Sequence, residues 1–315
     1  MSETSTPDPG RNPVCQAESL YRGSRHRLPV RRPNFAFDDS IPRHWIADNA
    51  LATHIFNGLQ MLFPAGERFF IRSVKAVLAE VEDQSLCEQA RAFSIQEAMH
   101  TREHEHWNLQ LEAQGYRFRP FLKRFERMLG LLSRYTPKSL QLAITAGTEH
   151  YTALLGTIAL TQPILRDQMH PLMEQLIVWH ACEEVEHKAV AFDVMQAVGI
   201  GYPTRILGYL LATAMLLTWS ISGTRLLLRQ DGLSRRDVRA LAEALPHKNG
   251  ARLRAALGAG FRTYFRRDFH PNESDGLLVA RRELAAVGLD PISDPISDAI
   301  SDPMAPLAPA VPVAS

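Results

Sequence analysis

The sequence predicts an all-α protein: a four-helix bundle with additional C-terminal helices. Three observations carry this. Apolar residues recur three and four positions apart through most of the chain, while strand alternation is scarce. Glycine and proline fall at helix-like intervals. Neither end has apolar periodicity, so the core-forming region lies between two tails. Of the 315 residues, 45% are hydrophobic and 22% are charged, values of a globular chain.

In chain order, residues 1–27 are expected to form a disordered arm. The stretch from Arg22 to Arg32 holds five arginines and one histidine, and is read as solvated rather than bound to phosphate or lipid. Residues 28–200 hold the bundle, with helices expected near 45–62, 67–82, 84–113, 138–160 and 168–198. Residues 201–289 form a helical extension, with helices near 204–229, 235–245, 248–264 and 276–287. The tetrapeptide near-repeat beginning at Asp290 is too rich in proline for helix, so 290–315 is expected to be a disordered tail.

Four of these helices carry chemistry on otherwise apolar stripes. On the third, Leu86, Ala90, Phe93, Glu97, His100, His104, Trp107 and Leu111 share one face. On the fifth, Met173, Ile177, His180, Glu184, His187, Ala191 and Val194 do the same. The fourth contributes Glu149 among Leu142, Ala146 and Ala153, and the second contributes Glu67 among Phe63, Phe70 and Val74. An isolated carboxylate in an apolar core is prohibitively costly, so groups at this density need a common neutraliser. Two divalent cations balance Glu67, Glu97, Glu149 and Glu184, with neutral imidazoles completing the shell. Iron is the expected metal, with manganese as the alternative.

The order Glu67, Glu97-x-x-His100, Glu149, Glu184-x-x-His187 is that of ferritin-like di-iron and di-manganese bundles. The long gap between Glu97 and Glu149 suits the crossover such bundles carry. His180 and His104 each lie one turn from this set, as a seventh ligand, an orienting partner or a core histidine; His180 is the preferred ligand. His150 and His54 read as structural, with His150 as a further orienting candidate. Glu183, Glu186, Glu103, Glu105 and His106 flank the ligands off the stripe and are expected on a solvated face. Cys182 reads as a packing residue, and Tyr151 and Trp179 as core.

The apolar stretch 206–222 is expected to be a buried helix covering the bundle, with peripheral membrane contact as the alternative. Lys and Arg total 35 against 34 Asp and Glu, so no global field recruits nucleic acid. Three cysteines are too few for a disulfide framework. With no secretory signal visible, a cytoplasmic location is expected, membrane-associated in the alternative. The partners expected are a small-molecule substrate and, compatibly, a second copy of the chain.

The runs from Phe63 to Phe70, Glu97 to His100, Thr145 to His150, Trp179 to Asp193 and Tyr264 to Pro271 resemble the bacterial family called predicted metal-dependent hydrolases. The likeness covers residues 28–275 and implies a metal-dependent enzyme. The ligand set alone is similar to that of di-iron arylamine N-oxygenases, in which the extra histidine is a seventh ligand. That likeness implies Glu67, Glu97, His100, Glu149, His180, Glu184 and His187 as the set. The function expected is dioxygen activation at a di-iron or di-manganese centre to oxidise a small apolar substrate. Hydrolysis by a metal-activated water is the alternative; no His-Glu-x-x-His and no obvious Arg/Lys phosphate clamp accompanies the ligands. Non-catalytic iron storage ranks third.

Overall fold

The computed structural model describes residues 28–161, 166–245, 247–273 and 276–289. The expected arm 1–27 and tail 290–315 lie outside the described residues. Within them the fold is all helix: α1 Ala50–Gln60, α2 Phe63–Lys75, α3 Gln84–Ala113, α4 Arg119–Tyr135, α5 Lys138–Thr161, α6 Pro171–His187, α7 Val190–Ala197, α8 Tyr202–Gln230, α9 Arg235–Glu243, α10 His247–Thr263 and α11 Leu277–Ala286. The one strand-like pairing among the described residues is an isolated bridge between Ile46 and Met169.

Local chemistry sets several helix starts. The Asn49 side chain accepts from the Ala52 amide at 3.0 Å to open α1, and Asp83 accepts from Leu86 at 3.0 Å to open α3. Pro64, Pro171 and Pro203 occupy first turns of α2, α6 and α8, where an amide hydrogen would have no helical partner.

Helices α2, α3, α6 and α5 form a closed ring in which each packs on the next and α5 returns to α2. Their inward stripes are buried, with Phe69, Val74, Phe93, Trp107, Leu142, Met173 and Trp179 among the core side chains. The expected rod over 168–198 is broken after His187. The backbone stays right-handed at Lys188 and Ala189, so Ala191 and Val194 on α7 prolong the same buried face.

Helix α4 has no counterpart in the expected elements. It fills the crossover between α3 and α5, burying only Leu122, Phe125 and Leu129 amid basic residues. Before α1, residues 28–37 run as a strap over the bundle: Phe35 packs on Trp179 and Phe37 on Trp107, with ring centroids 5.7 and 5.4 Å apart.

Helix α8 corrects the expectation of a buried cover. Its inner face packs on α5 and α1 through Gly208 and Gly223, but its outer face exposes Leu207, Leu210, Leu217 and Ile221. The Phe269-His270-Pro271 turn is structural: Phe269 is buried against His150 and Tyr264, and His270 donates from Nε2 to Asp193 Oδ1 at 2.7 Å.

Candidate metal centre

The four helices of the ring bring seven of the expected residues into the bundle core. Glu67, Glu97, His100, Glu149, His180, Glu184 and His187 are all buried, none more than 8% exposed. Glu97, His100, Glu184 and His187 each offer one ligand atom, all within 4.8 Å of one another. Glu67, His104 and His180 form a second such group. The two are joined through Glu184, whose Oε1 is 3.1 Å from His180 Nε2 and 3.6 Å from His100 Nδ1. Glu149 joins from α5, accepting from His187 Nδ1 at 2.9 Å.

The decisive feature is what these atoms lack. Both carboxylate oxygens of Glu97, Oε1 of Glu67 and Glu149, Oε2 of Glu184, Nδ1 of His100 and Nε2 of His187 are buried with no hydrogen-bond partner. Proteins rarely leave so many polar atoms unsatisfied at one place. Each of the two inner imidazoles is pinned through one nitrogen and leaves the other facing the centre. His100 donates from Nε2 to Glu183 at 3.0 Å, and His187 from Nδ1 to Glu149. This is how metal-ligating histidines are held, and the donor set fits divalent cations.

The electrostatics of the unliganded cluster agree. Burial, then the charge of Glu97, raises the Glu67 carboxyl well above its usual range. Burial, then Glu149, pushes Glu97 up to about 7, and burial with Glu184 raises Glu149 as well. Burial also acts on Glu184, but His187, His180 and His100 outweigh it and hold that carboxyl at about 2. Burial and neighbouring His100 lower His180 to about 4. The site therefore contains carboxyls that resist ionising together until a cation joins them.

His104 lies with the cluster: its Nε2 is 2.7 Å from His180 Nδ1, which places it as the partner that orients the His180 ring. His150 does not converge. Its Nε2 donates to the Gly260 carbonyl at 2.9 Å, and the ring packs on Tyr264 and Phe269, so the orienting role considered for it is replaced by the structural one. His54 is also remote, bonded to Asp231 at 2.6 Å beside His44 and Tyr116. Cys182 donates from Sγ to the Ala280 carbonyl at 3.1 Å, away from the cluster.

Three of the flanking acids are not solvated. Every residue from Val178 to Val190 is buried, because α3, α5, α11 and the strap surround the C-terminal half of α6 and leave that half no open face. Glu183 and Glu186 there share the buried guanidinium of Arg31, at 3.0 and 2.8 Å, so Arg31 is not part of a solvated arm. Gln96 donates to Glu186 and to the Pro29 carbonyl, tying the strap to the same network. Glu103, fully buried, accepts from the Phe35 amide at 3.2 Å and from Arg102. Glu105 is exposed, as expected, and His106 is half-buried, its Nδ1 3.7 Å from Glu103. One sequence signal pointed to this shell: α6 carries four glutamates and no lysine or arginine.

An apolar cavity adjoins the cluster. Glu67, His180 and Glu184 form its polar end, and Phe63, Phe70, Phe125, Ile144, Met215 and Leu216 line its walls. Phe63 stacks on His180 with ring centroids 4.8 Å apart.

Compared with known proteins, residues 29–275 match the family described as predicted metal-dependent hydrolase. No curated protein and no solved structure matches the chain.

Proposed function

The chain belongs to the family of predicted metal-dependent hydrolases, and on that premise we propose that it is a metalloenzyme with a dinuclear centre in a ferritin-like bundle. The ligands in this reading are Glu67, Glu97, His100, Glu149, His180, Glu184 and His187. The observation that carries it is the convergence, from four helices, of buried donor atoms without hydrogen-bond partners. Two divalent cations balance the four carboxylates. Bound there, they supply either electrons to dioxygen or Lewis acidity to a hydrolysed bond.

Oxidation of an apolar substrate is the reaction that the site geometry favours. Four carboxylates mixed with imidazoles suit iron or manganese. The cavity beside Glu67, His180 and Glu184 has no lysine or arginine in its lining, so nothing there clamps a phosphoryl group. Its phenyl and aliphatic walls would hold an apolar substrate against the ligands and keep water from a reactive oxidant. Hydrolysis is the second reading, and the comparison favours it, since the family description names that reaction.

One experiment separates them. Metal-free protein is loaded anaerobically with Fe(II), metal content is measured, and dioxygen is admitted. Stoichiometric uptake of two irons followed by dioxygen consumption supports the oxidative reading. Turnover of esters or phosphates with Mn or Zn, without oxygen consumption, decides for hydrolysis. Failure to bind metal overturns both.

A further inference from the structure

Helix α8 is long and apolar enough to cross a membrane by length and composition, yet only 22% of its most apolar window is buried. Its inner side packs on α5 and α1, so it cannot be surrounded by lipid. Its outer side is a continuous stripe. Leu207, Leu210, Ala214, Leu217 and Ile221 are all exposed and fall within about a third of the helix circumference. From Leu207 to Ile221 the stripe runs about 21 Å at the usual helical rise. Arg225 and Arg229, also exposed, continue it on the same side.

We infer that this face docks the protein on an anionic lipid surface and that the cavity behind it takes a lipophilic, membrane-partitioned substrate. A one-sided apolar helix ending in cations is the pattern of a segment lying in the plane of a bilayer surface. The charge pattern favours lipid over a second copy of the chain. Helix α8 contains no aspartate or glutamate. Parallel pairing of two such stripes would stack arginine on arginine. Antiparallel pairing centred on Ala214 would set Leu207 against Ile221 and carry Arg225 and Arg229 past the apolar overlap, with no acid on the second helix to meet them. Lipid phosphates supply the anions that a second α8 lacks.

The same helix connects this face to the chemistry. Met215 and Leu216, on the inward side of the turn bearing Ala214 and Leu217, line the cavity that ends at Glu67, His180 and Glu184. Only one helix diameter separates the proposed lipid contact from the cavity. The substrate-class half of the proposal rests on the metalloenzyme reading above; the docking half does not.

The test uses full-length, metal-loaded protein with vesicles of equimolar phosphatidylglycerol and phosphatidylcholine, and with phosphatidylcholine alone. Binding is measured by co-sedimentation, oligomeric state by analytical ultracentrifugation. Docking predicts binding to the anionic vesicles that weakens with salt. L210E/L217E should abolish it, and R225Q/R229Q should weaken it roughly tenfold or more. Metal content should stay at the wild-type value in both variants. No binding to either vesicle overturns the docking proposal. So does a wild-type dimer that L210E/L217E converts to monomer without any lipid effect, which would assign the face to a second copy. The cavity half is read from dioxygen uptake with a long-chain amphiphile in those vesicles against its short, water-soluble analogue. Equal or greater stimulation by the short analogue overturns it. Vesicle binding with no bound metal would instead indict the metalloenzyme reading and leave docking standing.

Discussion

Glu183 Oε2 lies 3.0 Å from His100 Nε2, on the ring edge opposite Nδ1, which faces Glu97 and Glu184 at 3.9 and 3.6 Å. The pair fixes which nitrogen is free to bind a cation. Replacing Glu183 by leucine removes the acceptor and frees the ring to rotate. Metal affinity should fall about 10–100-fold, the usual cost of losing such an orienting partner. Glu183→Gln keeps an acceptor without the charge, so its loss should be smaller. Metal retained after dialysis against a chelator reports the effect. Wild-type retention by both variants would refute the orienting role.

Arg31 joins the N-terminal strap to the bundle through Glu183 and Glu186, and its side chain is only 6% exposed. Arg31→Met would leave two neighbouring buried carboxylates without their shared cation. Breaking a buried pair by removing one partner costs about 3–5 kcal/mol. Denaturant unfolding of Arg31→Met should show a loss of that size. An effect near zero would mean that the strap contributes little to the fold.

The contrast between these residues and the proposed metal ligands explains what was legible in the sequence. Glu67, Glu97, His100, Glu149, His180, Glu184 and His187 lie on apolar stripes, so helical periodicity alone aims them inward. Glu183 and Glu186 lie off the stripe of α6, where a period argument assigns a solvated face. That inference holds only where a helix has one open side, and the C-terminal half of α6 has none. The arginine that neutralises them is about 150 positions away, beyond any local pattern. Helix α4 was missed because its buried stripe is three side chains wide in a basic segment. For α8 the hydrophobicity was plain but its destination was not: composition cannot say whether an apolar face meets protein or something else.

Where α8 does meet protein, the approach is close. A Cβ on Gly208 would fall 2.5 Å from the carbonyl carbon and the Cβ of Ala143 on α5. Neither atom belongs to a flexible side-chain end, so Gly208→Ala should push the helices apart and cost about 1–3 kcal/mol as an overpacking change. Gly130 in α4 offers the control, since nothing lies within 4 Å of its Cβ position. Gly130→Ala should stabilise by about 0.5–1 kcal/mol through helix propensity. Thermal unfolding of both variants should therefore shift in opposite directions. Equal shifts would contradict the packing of α8 on α5.

The carboxyl cluster gives the metal-free protein a pH dependence whose sign can be worked out. Glu97 is pushed to about 7, and burial also raises Glu67 and Glu149 well above their ordinary range, so the folded state holds protons that the unfolded chain has already lost. Burial alone would lower His100, but its hydrogen bond to Glu183 and the nearby charge of Glu97 prevail and raise it, with the same consequence. A raised folded-state value contributes stability at low pH that disappears as pH rises through it. His180, at about 4, and His104, also lowered, act in the opposite sense. Their effect is confined below about pH 6.5, where unfolded histidine takes up its proton. Glu184, at about 2, is already ionised throughout. Above about pH 6.5, therefore, only the destabilising titrations of this cluster remain, each contributing up to about 1.4 kcal/mol per pH unit. The melting temperature of metal-free protein should fall steadily from about pH 6.5 to about pH 8. Metal-loaded protein should hold level, because the cations take the place of the protons, and Glu97→Gln should flatten the metal-free slope. A metal-free melting temperature that is level or rising across that interval would mean that these carboxyls are not crowded together in the folded chain.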